Sequence, residues 1–138
     1  MLMIIQKEII LPVFKRGYHL ITDLILSEIP KMKGNGILNI FIKHTSAGLT
    51  INENADYTVR EDFETVFNHL IPENQTYYKH TFEGVDDLPA HIKTSIIGNS
   101  VNIPVTDSHL NLGTWQGIYL CEFRNRGGRR KLVLTFYS

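Results

Sequence analysis

WQGIYLCEFRNRGGRRKLVLTFY, residues 115–137, reads as two apolar strand runs separated by a glycine turn at Gly127–Gly128. Such a pattern predicts a terminal antiparallel hairpin. In the first run, period two puts Gln116, Ile118, Leu120, Glu122 and Arg124 on one face, and Trp115, Tyr119, Cys121 and Phe123 on the other. Polar groups sharing a face with Ile118 and Leu120 need partners wherever that face is buried. Glu122 and Arg124 are expected to pair, and Gln116 is the more notable polar residue of that face.

Upstream, SVNIPV at 100–105 and GILNIFIKH at 36–44 also read as strands. Alternation in the latter sets Leu38, Ile40, Ile42 and His44 on one inward face. Residues 3–11 form an isoleucine-rich strand ending before Pro12, and a short one is expected at 17–21. Helical spacing appears three times. Thr22 caps a helix carrying Leu24, Ile25, Glu28 and Ile29, stopped by KGNG at 33–36. A small-residue loop at Thr45–Gly48 is followed by a middle helix with Val59, Phe63, Val66, Phe67 and Leu70, ending at Pro72. Asp86 or Asp87 caps a third, whose inner face is Leu88, His91, Ile92, Ser95 and Ile96. Strands and helices mix without βαβ alternation. The expected class is therefore α+β: a mainly antiparallel, sandwich-like sheet with helices packed against it, in one domain over 1–138.

A chain of 138 residues can bury a core without disulfide or metal support. Lys+Arg and Asp+Glu are both 14, so there is no global field to draw in nucleic acid or an anionic membrane. The single cysteine, Cys121, excludes an internal disulfide and fits a reducing compartment. Lys7 and Glu8 interrupt the apolar N-terminus, which lacks the form of a signal peptide, so a cytoplasmic location is expected.

His44, His80 and His91 lie beside polar groups, and three converging imidazoles would leave an open position on zinc or a similar ion. They read equally as hydrogen-bonded histidines of core or surface. Asp86 and Asp87 suit helix capping; one of them could also serve as a general base or hold Mg²⁺ on a phosphate. Asn52 and Glu53 follow small residues where backbone amides can approach a ligand, although Glu53 also suits a capping arrangement. Arg124, Arg126, Arg129, Arg130 and Lys131 form a basic turn that could grip phosphate or lie in solvent. His19, His69 and His109 have no acidic or histidine companions nearby, and Ser46 and Ser100 lack a nucleophile elbow.

The segments HTSAGLTINENAD (44–56), HTFEGVDDLPAHIK (80–93), GNSVNIPV (98–105) and LNLGTWQGIYLCEFR (110–124) resemble the YjbQ-like family, also called the secondary thiamine-phosphate synthase family. The resemblance implies a compact α+β fold, a homotrimer, and a site near subunit boundaries. It places His44, Asn52, Glu53, Asp87, His91, Ser100 and Gln116 on motif positions, with His80 on a frequent histidine. The implied activity joins a pyrimidine pyrophosphate to a thiazole phosphate, often as a secondary reaction. Asp87, His91 and Glu53 are then the expected catalytic groups, and Asn52, Ser100, Gln116 and Arg124 the expected contacts to a small phosphorylated substrate. His44, His80 and His91 are the expected ligands of a divalent ion, Zn or Mg. A metal-dependent phosphoester hydrolase and a non-enzymatic trimeric phospho-ligand-binding protein are the alternatives. Ser108-His109 stands where many relatives carry Gly-Arg.

Overall fold

The strands divide between two antiparallel sheets, the larger with one outer face and the smaller covered on both sides. The computed structural model describes residues 2–138. In chain order the elements are β1 (Ile4–Ile10), β2 (Gly17–Leu20), α1 (Thr22–Glu28), β3 (Gly36–Ile42), β4 (Ala47–Glu53) and α2 (Tyr57–Leu70). They continue with α3 (Asp87–Ile97), β5 (Ser100–Thr106), β6 (His109–Leu110), β7 (Gln116–Glu122) and β8 (Lys131–Tyr137). The larger sheet has the order β1-β8-β3-β5-β6 and the smaller β2-β7-β4, and every pairing is antiparallel. The α+β expectation holds.

Between the sheets lies the main core, including Leu38, Ile40, Ile42, Leu49, Ile118, Leu120, Leu132, Leu134 and Phe136, closed at one end by Ile25 of α1. A second core of Tyr18, Ala90, Tyr119, Cys121 and Phe123 fills the space between the smaller sheet and the helices, with Phe63 and Phe67 of α2 packed against it. Among the described residues, no helix is long and apolar enough to cross a membrane.

The terminal hairpin does not form. β7 pairs with β2 and β4, whereas β8 pairs with β1 and β3. The physical reason is visible in the two runs. β7 is apolar on both faces and needs cover on both, so it becomes the middle strand of the middle layer. β8 alternates, burying Leu132, Leu134 and Phe136 only, and belongs to a layer with one outer face. The glycine segment thus crosses between sheets. Gly127 cannot carry a Cβ there, because one would collide with the Glu122 carboxylate, and Gly128 has φ 73°.

Four further expectations change. Thr45–Gly48 is not all loop, since β4 begins at Ala47; its small and polar residues conceal a strand whose Gly48 lies close against the end of α3. A Cβ on Gly48 would sit 2.8 Å from the Gly98 carbonyl oxygen. The inner face of α3 is Asp87, Pro89, Ala90, Lys93 and Thr94, with Ser95 and Ile96 exposed. Ala90 permits close approach, and buried Lys93 is accommodated by a 2.7 Å bond to Asn68 Oδ1. Thr22 makes no side-chain cap on α1; its hydroxyl accepts from the Ile118 amide at 2.9 Å. Finally, the Glu122 side chain pairs with Arg130, not with the Arg124 side chain.

Candidate functional site

α3 sets the site. Asp87 lies in its first turn and His91 one turn later, so the two side chains stack on one stripe of the helix. The 71–86 segment returns His80 to the same place. Asp87 Oδ2 faces His80 Nε2 at 2.7 Å and His91 Nε2 at 3.1 Å. One nitrogen or oxygen from each of these three residues lies within 4.8 Å of the others.

Asp87 is 1% exposed and is held from behind. Arg124 Nη1 donates to its Oδ1, Nε to Asp86 Oδ2 at 2.9 Å, and Nη2 to the Glu83 carbonyl at 2.8 Å. Asp86 also accepts from the Asn125 amide at 2.9 Å. Burial pushes the Asp87 carboxyl up, but the His80 hydrogen bond and the His91 and Arg124 charges prevail and hold it below the usual value. For Asp86 the burial effect is likewise outweighed, by the Asn125 amide and Arg124. The guanidinium fork therefore faces carboxylates and a carbonyl, behind the cluster.

Two backbone groups orient the other imidazoles. The Thr45 carbonyl lies 2.8 Å from His91 Nδ1. A carbonyl only accepts, so Nδ1 carries a proton and Nε2 faces Asp87. His44 is held in the reverse sense, its Nε2 accepting from the Lys131 amide at 2.9 Å. Burial, then the Arg130 charge, pushes the His44 imidazole down from its ordinary value. An open cavity of about 730 Å³ adjoins the cluster, lined by His44, Thr45, His80, His91, Thr94 and Asn99 among others. The buried Thr94 hydroxyl has no hydrogen-bond partner among the described residues.

His44, His80, Asp87, His91 and Arg124 therefore come together, whereas Asn52, Glu53 and Gln116 do not join them within one chain. Register puts Ala47 opposite Glu122 and Glu53 opposite Gln116, at the two ends of β4 and about 20 Å apart. At the far end Asn52 Oδ1 accepts from the Glu53 amide, Glu53 from the Ala55 and Asp56 amides, and Gln116 from Gly113. Ser100 opens β5 and is exposed. The basic turn is also dispersed: Arg130 is buried on Glu122, and Arg129 Nε donates to the Leu11 carbonyl. Sequence reading missed Thr94, though the i, i+4, i+7 spacing of Asp87, His91 and Thr94 marks one helix stripe. The Thr45 carbonyl and Lys131 amide leave no signal in side-chain identity.

A family model described as UPF0047 protein YjbQ-like matches residues 7–138. The chain is 46% identical over 132 residues to the UPF0047 protein YjbQ of Escherichia coli O157:H7, covering 94% of this chain and 95% of that one. Against the YjbQ protein of Salmonella typhimurium it is 49% identical over 133 residues, with the same 94% and 95% coverage. Among solved structures, an uncharacterized conserved YjbQ/UPF0047 protein of Clostridium acetobutylicum superposes with a TM-score of 0.78 at 36% identity, covering 96% of this chain and 99% of that one. A YbjQ-like protein of unknown function from Sulfolobus solfataricus shares the fold, with a TM-score of 0.85 at 24% identity and 100% and 99% coverage. The chain belongs to the UPF0047, YjbQ-like family.

Proposed function

We propose that this protein is a metal-dependent enzyme acting on a small phosphorylated substrate, with the ion held by His80, Asp87 and His91. The observation that carries the reading is the convergence of two imidazole nitrogens on one buried carboxylate oxygen. The Thr45 carbonyl holds His91 from its far nitrogen, the outer contact that metal-binding histidines commonly make. Two nitrogens and one oxygen suit zinc or another transition ion with an open position, and suit magnesium poorly. An ion bound there would neutralise charge developing on a phosphate oxygen or lower the pKa of a water.

The finer form of the reading is thiamine-phosphate synthase-like transfer, in which a pyrimidine pyrophosphate reacts with a thiazole phosphate. Its support is the family resemblance of the motif segments, together with a cluster able to meet the leaving pyrophosphate. Hydrolysis of a small phosphoester uses the same centre with water as acceptor. We assign Arg124 to holding Asp87 and Asp86, in place of the substrate contact expected from its sequence position. Asn52, Glu53 and Gln116 enter this reading only through a second copy of the chain. Self-association is supported by exposed Ile4, Ile10, Phe41 and Tyr137 on the larger sheet, and a homotrimer is the assembly proposed.

The test is metal content and turnover of both substrates, in wild type and Asp87→Asn. Stoichiometric zinc and product formation, both lost in the variant, are expected. Metal-free wild type with full activity overturns the centre; bound metal without turnover leaves a binding protein.

A further inference from the structure

The backbone sorts the histidines of the cavity into two chemical kinds. The Lys131 amide has its hydrogen-bond acceptor in His44 Nε2. Turning the ring over would put carbon in that place and leave a backbone N–H unpaired, so the contact fixes both ring orientation and tautomer. The lone pair of neutral His44 is on Nε2 and committed; its proton is on Nδ1. A nitrogen that carries a proton cannot ligate a metal. His91 carries its proton on Nδ1 as well, but there the Thr45 carbonyl takes that proton and Nε2 is turned toward Asp87. Gripped from opposite ends, the two rings differ: His91 presents Nε2 to the carboxylate, where an ion can take the place of its proton, and His44 presents an N–H.

We propose that His44 is a neutral hydrogen-bond donor to an oxyanion bound in the cavity, acting beside the metal centre and not as one of its ligands. This deepens the metal-enzyme reading and rests on it. The cavity wall supports a ligand of that class: its lining, with His44, His80, His91, Thr94 and Asn99, includes no Lys, Arg, Asp or Glu. With no fixed charge in the wall, the ion supplies the attraction for an anion, and neutral N–H and O–H groups orient it. Thr94 lines the same cavity, with its hydroxyl buried and unpartnered among the described residues. Burial, then the neighbouring Arg130 charge, pushes the His44 imidazole down from its ordinary value against the opposing Glu122 charge, in keeping with an Nε2 that accepts from the Lys131 amide. A neutral imidazole donating to a developing oxyanion is an established way of polarising a carbonyl or phosphoryl group. Phosphate and carboxylate share the chemistry that this arrangement recognises.

Zinc-loaded protein titrated calorimetrically with inorganic phosphate and, separately, with acetate tests the assignment in wild type, His44→Ala and His44→Asn. Zinc stoichiometry and affinity are expected to survive His44→Ala, while affinity for the anion that binds falls about tenfold or more. His44→Asn keeps an N–H near the ring Nδ1 position and should recover part of that loss. Whichever anion shows this dependence identifies the headgroup. Loss of zinc in His44→Ala makes His44 a ligand and overturns the proposal, as does anion affinity unchanged by both substitutions or too weak to measure in wild type. Nitrogen NMR of the imidazoles separates this failure from that of the metal reading. Wild type that takes up no zinc sinks the centre, whereas a proton on His44 Nε2 sinks the donor role whether or not zinc binds.

Discussion

Glu122 and Arg130 form a buried ion pair at the crossing between the two sheets. Arg130 Nε donates to Oε1 at 2.8 Å and Nη2 to Oε2 at 2.5 Å, with Glu122 0% and Arg130 4% exposed. Removing one partner strands a charge in the interior. Arg130→Met is expected to destabilise the fold by about 3–5 kcal/mol in urea unfolding, and Glu122→Leu on that background to recover most of it. Additive losses in the double variant would show that the pair is not coupled.

Arg124 holds both Asp86 and Asp87 through a planar fork that lysine cannot reproduce. Arg124→Lys should weaken zinc binding by about 10–100-fold, the usual range for a residue that orients a ligand. Competition with a chromophoric chelator measures it, and an unchanged affinity removes Arg124 from the metal-holding set.

Lys93 gives the protein an alkaline stability slope. Burial, aided by the Arg16 charge, pushes its amine down from the ordinary value. Between the lowered value and the ordinary one near pH ~10.4 the unfolded chain binds more protons, so stability rises with pH in that window. The Tyr18 phenol is pushed up, chiefly by burial, and lowers stability above pH ~10, where the unfolded chain ionises first. The Cys121 thiol, likewise pushed up by burial, lowers stability above pH ~8.5, so the Lys93 contribution is read as a difference: in denaturation series below pH ~10 wild type should show a more positive slope than Lys93→Met.

Cys121 is sealed between the smaller sheet and the helices, and burial pushes its thiol up. A disulfide reagent is expected to leave it unmodified in native protein and to label it fully in denaturant. Rapid labelling under native conditions would mean that α2 or α3 lifts from the sheet.

The periodic parts of the fold are legible in the sequence: β3, with Leu38, Ile40 and Ile42 in alternation, and α2, with Phe63 and Phe67 one turn apart. What is lost depends on groups without a hydropathy signature. β4 is written in Gly48, Thr50 and Asn52, and Lys93 is buried on α3 only because Asn68 of a distant helix meets it. Partner choice for β7 depends on how many faces must be covered, which sequence adjacency to β8 misrepresents. At the site, the motif positions supply the imidazoles and carboxylates, but a carbonyl of Thr45 and an amide of Lys131 decide what His91 and His44 can do.

β7 contributes side chains to both cores, Ile118 and Leu120 to one and Tyr119 and Cys121 to the other. Neither layer can come away without exposing apolar surface on this strand. Amide protons at its centre should then exchange with deuterium only when the whole molecule opens, and the helical layer bearing Asp87 and His91 should have no separate melting transition of its own.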